Sequence, residues 1–315
     1  MRLLTLEDDP QLGEAIATGL RQLGHAVDWF REGAQADAAI GRAPYDAVLT
    51  HGFTLGEKGE KMSKSKGNVT DPLKVIQESG ADILRLWVAS TDYSQDQRIG
   101  PEILKAQVEA YRRLRNTLRY LLGALEGFTP AERLPAGELP ELERLVLHRL
   151  RQIELLVRQA TEDFDFHAIY RTLHDFCAVE LSAFYFDVRK DALYCDRPDA
   201  PRRRAYRTVL EQIFLNPPPW LAPILCFTAE EAWLAWGKGE EESVHLRNHP
   251  HLPADWTDAA LEARWERIKA VRRVVTGALE LARAEKVIGA SLQAAPTVHI
   301  ADPELVGKVK AGRLA

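Results

Sequence analysis

A short lysine- and serine-rich segment between two glycines carries the most specific chemistry in this sequence. It spans residues 59–68 and reads GEKMSKSKGN. Gly59 and Gly67 permit the backbone angles of a tight loop. Lys61 and Lys64, with hydroxyl groups between them, can surround a polyphosphate through ammonium charges, serine hydroxyls and backbone N–H groups. The segment therefore predicts a phosphate-binding loop, and the alternative is an ordinary solvated turn.

Two helices follow the loop and must position it. Asp71 is a candidate N-cap and Pro72 suits the first position of a helix, which together predict a helix over residues 72–80. A second helix is expected from Gly80 through Trp87. Both helices are interpreted mainly as a scaffold for the loop.

Beyond residue 100 the sequence is mainly helical. Apolar residues recur at spacings of three and four from Val108 to Leu125, which predicts a helix with one buried face. Three consecutive prolines, Pro217–Pro219, should break a helix because proline removes a backbone donor and clashes with the preceding turn. Further helices are expected over residues 141–162, 167–190, 201–215 and 257–286.

Two groups of arginines in the helical region indicate contacts with nucleic-acid phosphates. Four of them lie within eight residues of one helix, and three begin a later helix, whose N-terminus itself attracts anions. The alternative is a solvated surface on which the side-chain stems pack. The candidates are Arg112, Arg113, Arg115 and Arg119 in the first group and Arg202, Arg203 and Arg204 in the second.

The first fifty residues follow a different pattern. Leu3–Leu6 and Ala26–Phe30 suit strands, helices are expected after each, and Tyr45–Leu49 suits a third strand. This β-α-β-α-β order is typical of the start of a doubly wound parallel sheet. Glu7 and Asp8 follow the first strand, where carboxylates can bind Mg²⁺.

Residues 1–50 resemble the N-terminal half of a response-regulator receiver domain, from MRLLTLEDDPQLGEAIATGLRQLGHAVDWF through APYDAVL. The resemblance implies Mg²⁺ binding by Glu7 and Asp8. His51 stands where that family has its phosphate-accepting aspartate, and the rest of a receiver is missing. We therefore expect a truncated receiver-like segment, with a degenerate receiver as a weaker alternative.

The loop and its flanks resemble class Ia aminoacyl-tRNA synthetases, and among them the isoleucyl-tRNA synthetases. KMSKS is the second signature motif of class I, and HGFTL, DPLKVIQESGADILRLWVASTDYSQDQRIG and YRRLRNTLRYLLG accompany it. The resemblance runs from about residue 44 to the C-terminus. It implies a mainly α fold: a helical-bundle anticodon-binding domain preceded by the C-terminal piece of a class I catalytic domain and the truncated α/β segment.

The resemblance also implies a role for each residue of the loop. Lys64 would contact the ATP phosphates during amino-acid adenylation, and Lys61 would support the loop and the departure of pyrophosphate. Charge would then be neutralised where it develops, as catalysis requires. Met62, Ser63 and Ser65 would complete the ATP-phosphate site. The implied ligands are ATP, as Mg-ATP, and tRNA(Ile).

The same resemblance divides the chain and limits its activity. The expected segments are 1–50 (receiver-like), 51–98 (loop and end of the catalytic domain), 99–288 (anticodon-binding) and 289–315 (start of a C-terminal region). The HIGH-type motif, the isoleucine pocket, the editing domain and the zinc-binding cysteines are missing from the sequence. We expect a fragment of isoleucine–tRNA ligase that is inactive alone, with a non-catalytic tRNA-binding module as the alternative.

Composition adds further expectations. The chain of 315 residues is 46% hydrophobic and 28% charged, with a net charge of −5, which is typical of a globular protein rather than a disordered one. Cys177, Cys195 and Cys226 have no CxxC spacing, so no cysteine zinc site is expected. No apolar run reaches the ~20 residues of a membrane helix. A cytoplasmic, monomeric protein without a bound metal is expected.

Overall fold

The computed structural model describes residues 2–40, 49–237, 243–301 and 306. The chain forms two compact units, residues 1–51 and 52–315. The boundary expected near residues 44–50, between the receiver-like and the synthetase-like segments, lies mostly outside the described residues. The same is true of the third strand that was predicted over residues 45–49.

The first unit contains two parallel strands and two helices. Their bounds are Arg2–Leu6 (β1), Pro10–Gln22 (α1), Ala26–Phe30 (β2) and Gly33–Ile40 (α2). In the ladder, Arg2 of β1 faces Ala26 of β2, and Leu6 faces Phe30. Asp9 caps α1 because its Oδ1 accepts the backbone N–H groups of Gln11 and Leu12 at 2.8 and 3.0 Å. The order strand, helix, strand, helix agrees with the sequence pattern.

The second unit begins with a small sheet and two helices. Strands Thr54–Gly56 (β3) and Gln97–Ile99 (β4) pair in parallel, and Pro72–Ser79 (α3) and Ala81–Ala89 (α4) lie between them along the chain. Asp71 caps α3 by accepting the N–H of Leu73 at 2.9 Å, which confirms the predicted cap. Neither strand was predicted from the sequence.

A helical body makes up the rest of the second unit. Its α-helices are Pro101–Ala124 (α5), Glu141–Glu162 (α6), Phe166–Asp175 (α7), Phe186–Tyr194 (α8), Pro201–Leu215 (α9), Pro217–Leu221 (α10), Cys226–Trp236 (α11) and Ala259–Ala284 (α12). Short 3₁₀ turns occur at Pro130–Glu132, Ala136–Glu138, Val244–Leu246, Ala254–Trp256 and Ser291–Gln293. The fold is mostly helical, as predicted.

Two interruptions shape this body. The helix expected over 167–190 is a continuous run in which Phe176–Tyr185 adopts π-helical geometry between α7 and α8. The predicted break at the prolines is confirmed, since α9 ends at Leu215 and α10 begins at Pro217. Proline is tolerated there because the first turn of a helix needs no backbone donor.

One hydrophobic core joins the helices of the body. It includes Leu114 and Leu121 of α5, Leu150 of α6 and Tyr206 of α9, each fully or almost fully buried. Cys177 belongs to this core, as predicted, and its burial raises the pKa of the thiol to about 12. In the part of the chain that the structure describes, no helix is both long and apolar enough to cross a membrane.

Candidate functional site

The loop of residues 59–68 starts from a β-turn at the end of β3. The N–H of Gly59 donates to the carbonyl of Gly56 at 2.9 Å, and the N–H of Gly56 donates to the carbonyl of Glu60 at 2.8 Å. Leu55 and Lys61 then form an antiparallel bridge. This hairpin fixes where Lys61 leaves the small sheet.

The side chain of Asn68 closes the loop. Its Oδ1 accepts the backbone N–H of Ser63 at 2.8 Å, and its Nδ2 donates to the carbonyl of Lys61 at 3.2 Å. Between these bonds, Lys64–Lys66 forms a 3₁₀ turn, and the hydroxyls of Ser63 and Ser65 lie 2.7 Å apart. The loop was identified from the sequence, but the role of Asn68 was not. An asparagine that follows a glycine does not by itself indicate that its side chain closes a loop.

Cationic and hydroxyl groups of the loop face solvent. Lys61, Ser65 and Lys66 are exposed, and Met62 and Ser63 are half-buried. Within the described ranges, Lys61 and Lys66 form no ion pair, so both ammonium groups are available to an anion. The side chain of Lys64 lies outside the described part of the structure, and its contact with ATP phosphates stays a prediction.

The glycines at both ends of the loop have the geometry that the sequence predicted. Gly59 and Gly67 have φ values of +82° and +64°. These angles lie in the left-handed region that side chains other than glycine rarely adopt. The tight turns that bracket the lysines therefore depend on glycine.

The turn before the loop also contacts the helical body. Oε1 of Glu57 accepts the N–H of Glu102 at 3.0 Å, in the first turn of α5. A carboxylate at this position satisfies a free backbone donor and interacts favourably with the helix dipole. The base of the loop is therefore attached to the helix that carries the first arginine group, a contact that no local sequence pattern indicates.

Helix α4 forms a second attachment, to α11. The carboxylate of Asp82 is 7% exposed and accepts the N–H and hydroxyl of Thr228 at 2.9 and 2.7 Å. The guanidinium of Arg85 donates to the carbonyls of Ile224 and Pro223 at 3.1 and 2.6 Å. The carboxylate of Asp82 and the guanidinium of Arg85 therefore hold the loop scaffold against the helical body through hydrogen bonds to its backbone.

Three arginines of the first group lie on one face of α5. Arg112, Arg115 and Arg119 are separated by three and four residues, the spacing of a helix face, and all are exposed. Arg112 pairs with Glu109 at 2.6 Å within the helix, and Arg115 lies 3.7 Å from Glu231.

Arg113 and Arg119 are the least engaged members of this group. Arg113 is also exposed, but it lies about 100° or more around the helix from Arg112, Arg115 and Arg119. Among the described residues, neither Arg113 nor Arg119 has an ion-pair partner. This surface can therefore offer charge to phosphates.

The second arginine group is bonded within the chain. Arg202 makes two 2.8 Å hydrogen bonds to Asp196 and holds the pKa of that carboxyl below its usual value. Arg203 donates to the carbonyl of Leu193 at 3.2 Å, and Arg204 donates to the carbonyl of Glu132 at 3.2 Å. These arginines anchor the start of α9, and their contact with RNA stays a prediction.

The described residues contain no group of three His, Cys, Asp or Glu side chains placed to hold a metal ion. Glu7 and Asp8, the residues for which Mg²⁺ binding was predicted, follow β1 as expected. Oε1 of Glu7 accepts the N–H of Asp9 at 3.1 Å.

The side chain of His148 is buried in the helical body. Its Nδ1 accepts the N–H of Asp258 at 2.9 Å.

Comparison with protein families gives two matches. Residues 143–299 match the anticodon-binding domain of tRNA ligases. Residues 13–100 match the class I tRNA synthetases for isoleucine, leucine, methionine and valine. The second match begins inside α1 and so includes much of the segment that was predicted to be receiver-like, a prediction that stays untested.

Curated relatives agree with the family matches. The chain is 55% identical to an isoleucine–tRNA ligase of Agrobacterium fabrum over 279 residues, 88% of this chain and 29% of the relative. It is 56% identical to that of Ruegeria pomeroyi over 278 residues, with the same coverage. With the Brucella abortus enzyme it shares 52% identity over 302 residues, 96% of this chain and 31% of the relative. The chain thus spans about three tenths of the length of these relatives.

Solved structures show the same fold at lower identity. A leucyl-tRNA synthetase of Agrobacterium radiobacter, in a ternary complex with tRNA and LeuAMS, superposes with a TM-score of 0.55 at 21% identity over 71% of this chain and 26% of that one. Methionyl-tRNA synthetase of Mycobacterium tuberculosis, with methionyl-adenylate, gives 0.51 at 18% identity over 68% of this chain and 47% of that one. About seven tenths of this chain therefore shares its fold with parts of these enzymes.

Proposed function

We propose that this chain, a segment of the isoleucine–tRNA ligase family of class I aminoacyl-tRNA synthetases, supplies the ATP-phosphate loop and the tRNA-binding helical body of such a ligase. The loop geometry carries this proposal. Asn68 and the hairpin hold the backbone, while Lys61 remains exposed without an ion pair in the described ranges.

In this function the loop binds the phosphates of ATP. Lys61 and Lys64 are the proposed catalytic residues, since their charge would offset the charge that develops as pyrophosphate leaves. Ser63 and Ser65 would hydrogen-bond to phosphate oxygens, and Met62 would contribute backbone. Magnesium would arrive bound to the ATP phosphates, because the described residues offer no cluster of metal ligands.

The exposed face of α5 is the proposed contact for tRNA(Ile). Lys and Arg side chains that replace the counterions of phosphates give an affinity that falls with salt. Arg113 and Arg119 are the strongest candidates, because neither has an ion-pair partner among the described residues. Arg112 and Arg115 lie on the same face of α5 as Arg119.

The isolated chain is proposed to bind these ligands without activating isoleucine. Activation requires the amino acid to be held against ATP, and positioning of reactants supplies a large part of catalysis. The sequence contains no HIGH-type motif, and the chain spans about three tenths of its relatives.

Two measurements test the proposal. Isoleucine-dependent exchange between ATP and pyrophosphate should stay at background with the isolated chain, and robust exchange would contradict the proposed inactivity. Filter binding of a tRNA(Ile) transcript should show an affinity that falls steeply with salt. A chain with no affinity for the transcript at low salt would contradict the tRNA-binding role.

A tRNA-binding module without an ATP site is the second candidate. The observation that favours it is the helical body, whose helices are joined by one extensive core. Equilibrium dialysis with radiolabelled ATP separates the two functions. ATP binding that is lost in a Lys61→Ala, Lys64→Ala variant supports the ligase segment, whereas tRNA binding with no ATP binding supports the module.

A receiver-like role for residues 1–50 is a separate and weaker proposal. The β-α-β order and the position of Glu7 and Asp8 support it. The class I synthetase match from residue 13 counts against it. Incubation with radiolabelled acetyl phosphate tests this role: labelling of the chain would support it, and an unlabelled chain would contradict it.

A further inference from the structure

Arg98 lies on the small sheet from which the loop of residues 59–68 extends. It is the middle residue of β4, and its neighbours Gln97 and Ile99 are 7% and 5% exposed. Successive side chains of a strand project from opposite faces, so Arg98 extends from the solvent side, where it is exposed. Its backbone is fixed, because the carbonyl of Arg98 accepts the indole N–H of Trp87 on α4 at 2.9 Å. The arginine therefore starts from a defined position beside the loop.

Arg98 and Lys61 lie on the same face of this sheet. Leu55 of β3 is paired with Arg98 of β4, and on its other edge it forms the antiparallel bridge with Lys61. Side chains of directly paired residues project from one face. Since neighbouring strands are about 4.8 Å apart, the backbones of Lys61 and Arg98 are separated by roughly 10 Å. Their long side chains can therefore reach one anion bound between them.

The positive charge on this face is not neutralised by the nearby carboxylates. Among the described residues, neither Lys61 nor Arg98 forms an ion pair. Glu57 and Asp96 each accept a backbone N–H group, at 3.0 and 2.8 Å, and the carboxylate of Glu60 packs against the backbone of β3. Like charges on one face repel each other, and an anion bound between them removes that repulsion. A multiply charged anion therefore matches this face.

The guanidinium of Arg98 reaches the turn at which the loop begins. A Cβ atom on Gly59 would lie 3.3 Å from Cζ and Nη2 of Arg98, so the planar group packs against the glycine backbone. Its N–H groups have no hydrogen-bond partner in the part of the chain that the structure describes. A guanidinium presents these donors as a fork that matches two phosphate oxygens. Arg98 therefore brings an unused phosphate-binding group to the start of the loop.

We propose that Arg98 is a further phosphate-binding residue of the loop and holds a polyphosphate together with Lys61. The guanidinium bonds to two phosphate oxygens in a fixed orientation, whereas the flexible ammonium group of Lys61 follows the phosphate as a point charge. The polyphosphate can belong to ATP or be free pyrophosphate. The ATP source rests on the function proposed above, whereas binding of free pyrophosphate does not.

The test uses the whole chain and measures binding by equilibrium dialysis. The probes are radiolabelled ATP, pyrophosphate and AMP. Arg98→Met keeps a stem that can pack on the turn at Gly59 but removes the charge and the donors, whereas Arg98→Lys keeps the charge without the fork. Arg171→Met is the matched control, because Arg171 on α7 is exposed and, within the described ranges, forms no ion pair.

We expect Arg98→Met to weaken the binding of ATP and of pyrophosphate about tenfold, the effect of losing a charge-assisted hydrogen bond. Arg98→Lys should lie between Arg98→Met and wild type, and Arg171→Met should bind like wild type. AMP has no polyphosphate, so its binding should not respond to either Arg98 variant. Methionine would replace a side chain that only packs against the turn without loss. Wild-type binding of ATP and pyrophosphate by Arg98→Met would therefore overturn the proposal.

A tRNA(Ile) transcript is the fourth probe, because arginine also pairs with the phosphates of RNA. Filter binding measures its affinity for the wild-type chain and for Arg98→Met. We expect equal affinities. Transcript binding that weakens in Arg98→Met, with ATP and pyrophosphate binding unchanged, would assign the arginine to RNA and overturn the proposal.

The same measurements separate this inference from the proposed function. ATP binding that responds to Lys61→Met but not to Arg98→Met overturns the role of Arg98 and leaves the proposed function intact. Pyrophosphate binding that responds to Arg98→Met, without any binding of ATP, keeps the role of Arg98 and contradicts the ATP site. A chain that binds neither ATP nor pyrophosphate contradicts both.

Discussion

Asp82 and Thr228 are joined by two hydrogen bonds that connect the loop scaffold to the helical body. The carboxylate of Asp82 accepts the N–H of Thr228 at 2.9 Å and its hydroxyl at 2.7 Å. It also accepts the N–H of Phe227 at 3.3 Å. Asp82 therefore caps α11 from another helix, since Leu225, the residue before α11, makes no side-chain cap. The hydroxyl of Thr228 in turn lies 2.9 Å from that of Tyr111 on α5.

Replacing this carboxylate should destabilise the second unit. In Asp82→Asn the amide keeps one acceptor oxygen but loses the charge and the second acceptor, so buried N–H groups of α11 are left unpaired. We expect the free energy of unfolding to fall by about 1–3 kcal/mol. Urea unfolding followed by circular dichroism measures the change. Glu78→Gln, on the exposed surface of α3, is the matched control and should change it by at most about 0.5 kcal/mol; equal effects would contradict the capping role.

The two bonds of Asn68 should keep the loop closed. Asn68→Ala removes both, and at about 0.5–1.5 kcal/mol for each bond the open population should rise by roughly five- to 150-fold. Limited trypsin digestion measures this rise as faster cleavage after Lys61, Lys64 or Lys66. Asn68→Asp keeps the acceptor for the N–H of Ser63 but loses the donor to Lys61, and it should be intermediate. Gln77→Ala, at an exposed position of α3, is the control. Equal cleavage rates in Asn68→Ala and Gln77→Ala would show that Asn68 does not hold the loop closed.

The two arginine groups should differ in how they affect tRNA binding. Arg119→Ala should make the slope of log K against log salt shallower by about 0.7–0.9, the effect of one lost phosphate contact. Arg204→Ala should leave that slope unchanged and lower the melting temperature instead, because Arg204 bonds to the carbonyls of Ala131 and Glu132. Filter binding of a tRNA(Ile) transcript across a salt series gives the slopes. A slope change for Arg204→Ala alone would reverse the assignment of the two groups.

The elements that the sequence predicted well are those that local physics determines. The helices at 141–162 and 201–215 have the predicted bounds. Each has a periodic apolar face, and a proline marks its start: Pro140 precedes the first helix and Pro201 begins the second. The cap at Asp71 and the turns at Gly59 and Gly67 follow from the conformational preferences of single residues. The phosphate-binding role of the KMSKS segment stays a prediction, because it depends on a ligand rather than on local backbone geometry.

The parts that were missed depend on contacts between distant residues. Strands β3 and β4 have three residues each and exist only through their pairing across more than forty residues. The partner of Asp82 lies 146 residues further along the chain. The π-helical segment Phe176–Tyr185 has an ordinary apolar composition, so nothing local distinguishes it from an α-helix.

A buried ion pair between α6 and α8 should respond strongly to removal of one partner. Glu143 is 0% exposed and accepts two hydrogen bonds from Arg189, at 2.6 and 2.9 Å. Glu143→Gln leaves the guanidinium charge largely buried, and we expect a loss of about 3–5 kcal/mol in the free energy of unfolding. The double variant Glu143→Leu, Arg189→Met should recover most of this loss. Glu109→Gln, which breaks the exposed pair with Arg112, should cost at most about 1 kcal/mol.

The carboxylate of Glu154 should make the stability of the helical body sensitive to acid. Burial opposes its charge, but hydrogen bonds from Arg158 at 2.8 Å, from Arg151 and from the N–H of Leu252 at 3.1 Å outweigh that effect, and its pKa lies below the ordinary value of 4.5. A folded-state pKa below the unfolded value adds stability above pH 4.5 that is lost as the pH falls through the folded pKa.

Urea unfolding at a series of pH values between about 7 and 3 measures that loss. We expect the free energy of unfolding of the wild-type chain to decline below pH 4.5, and Glu154→Gln to start lower at neutral pH and decline less steeply. The amide cannot titrate and cannot pair with both arginines, so the two curves should converge in acid. The exposed Glu162→Gln variant is the control and should follow the wild-type curve. Parallel curves for Glu154→Gln and wild type would show that this carboxylate does not carry the pH dependence.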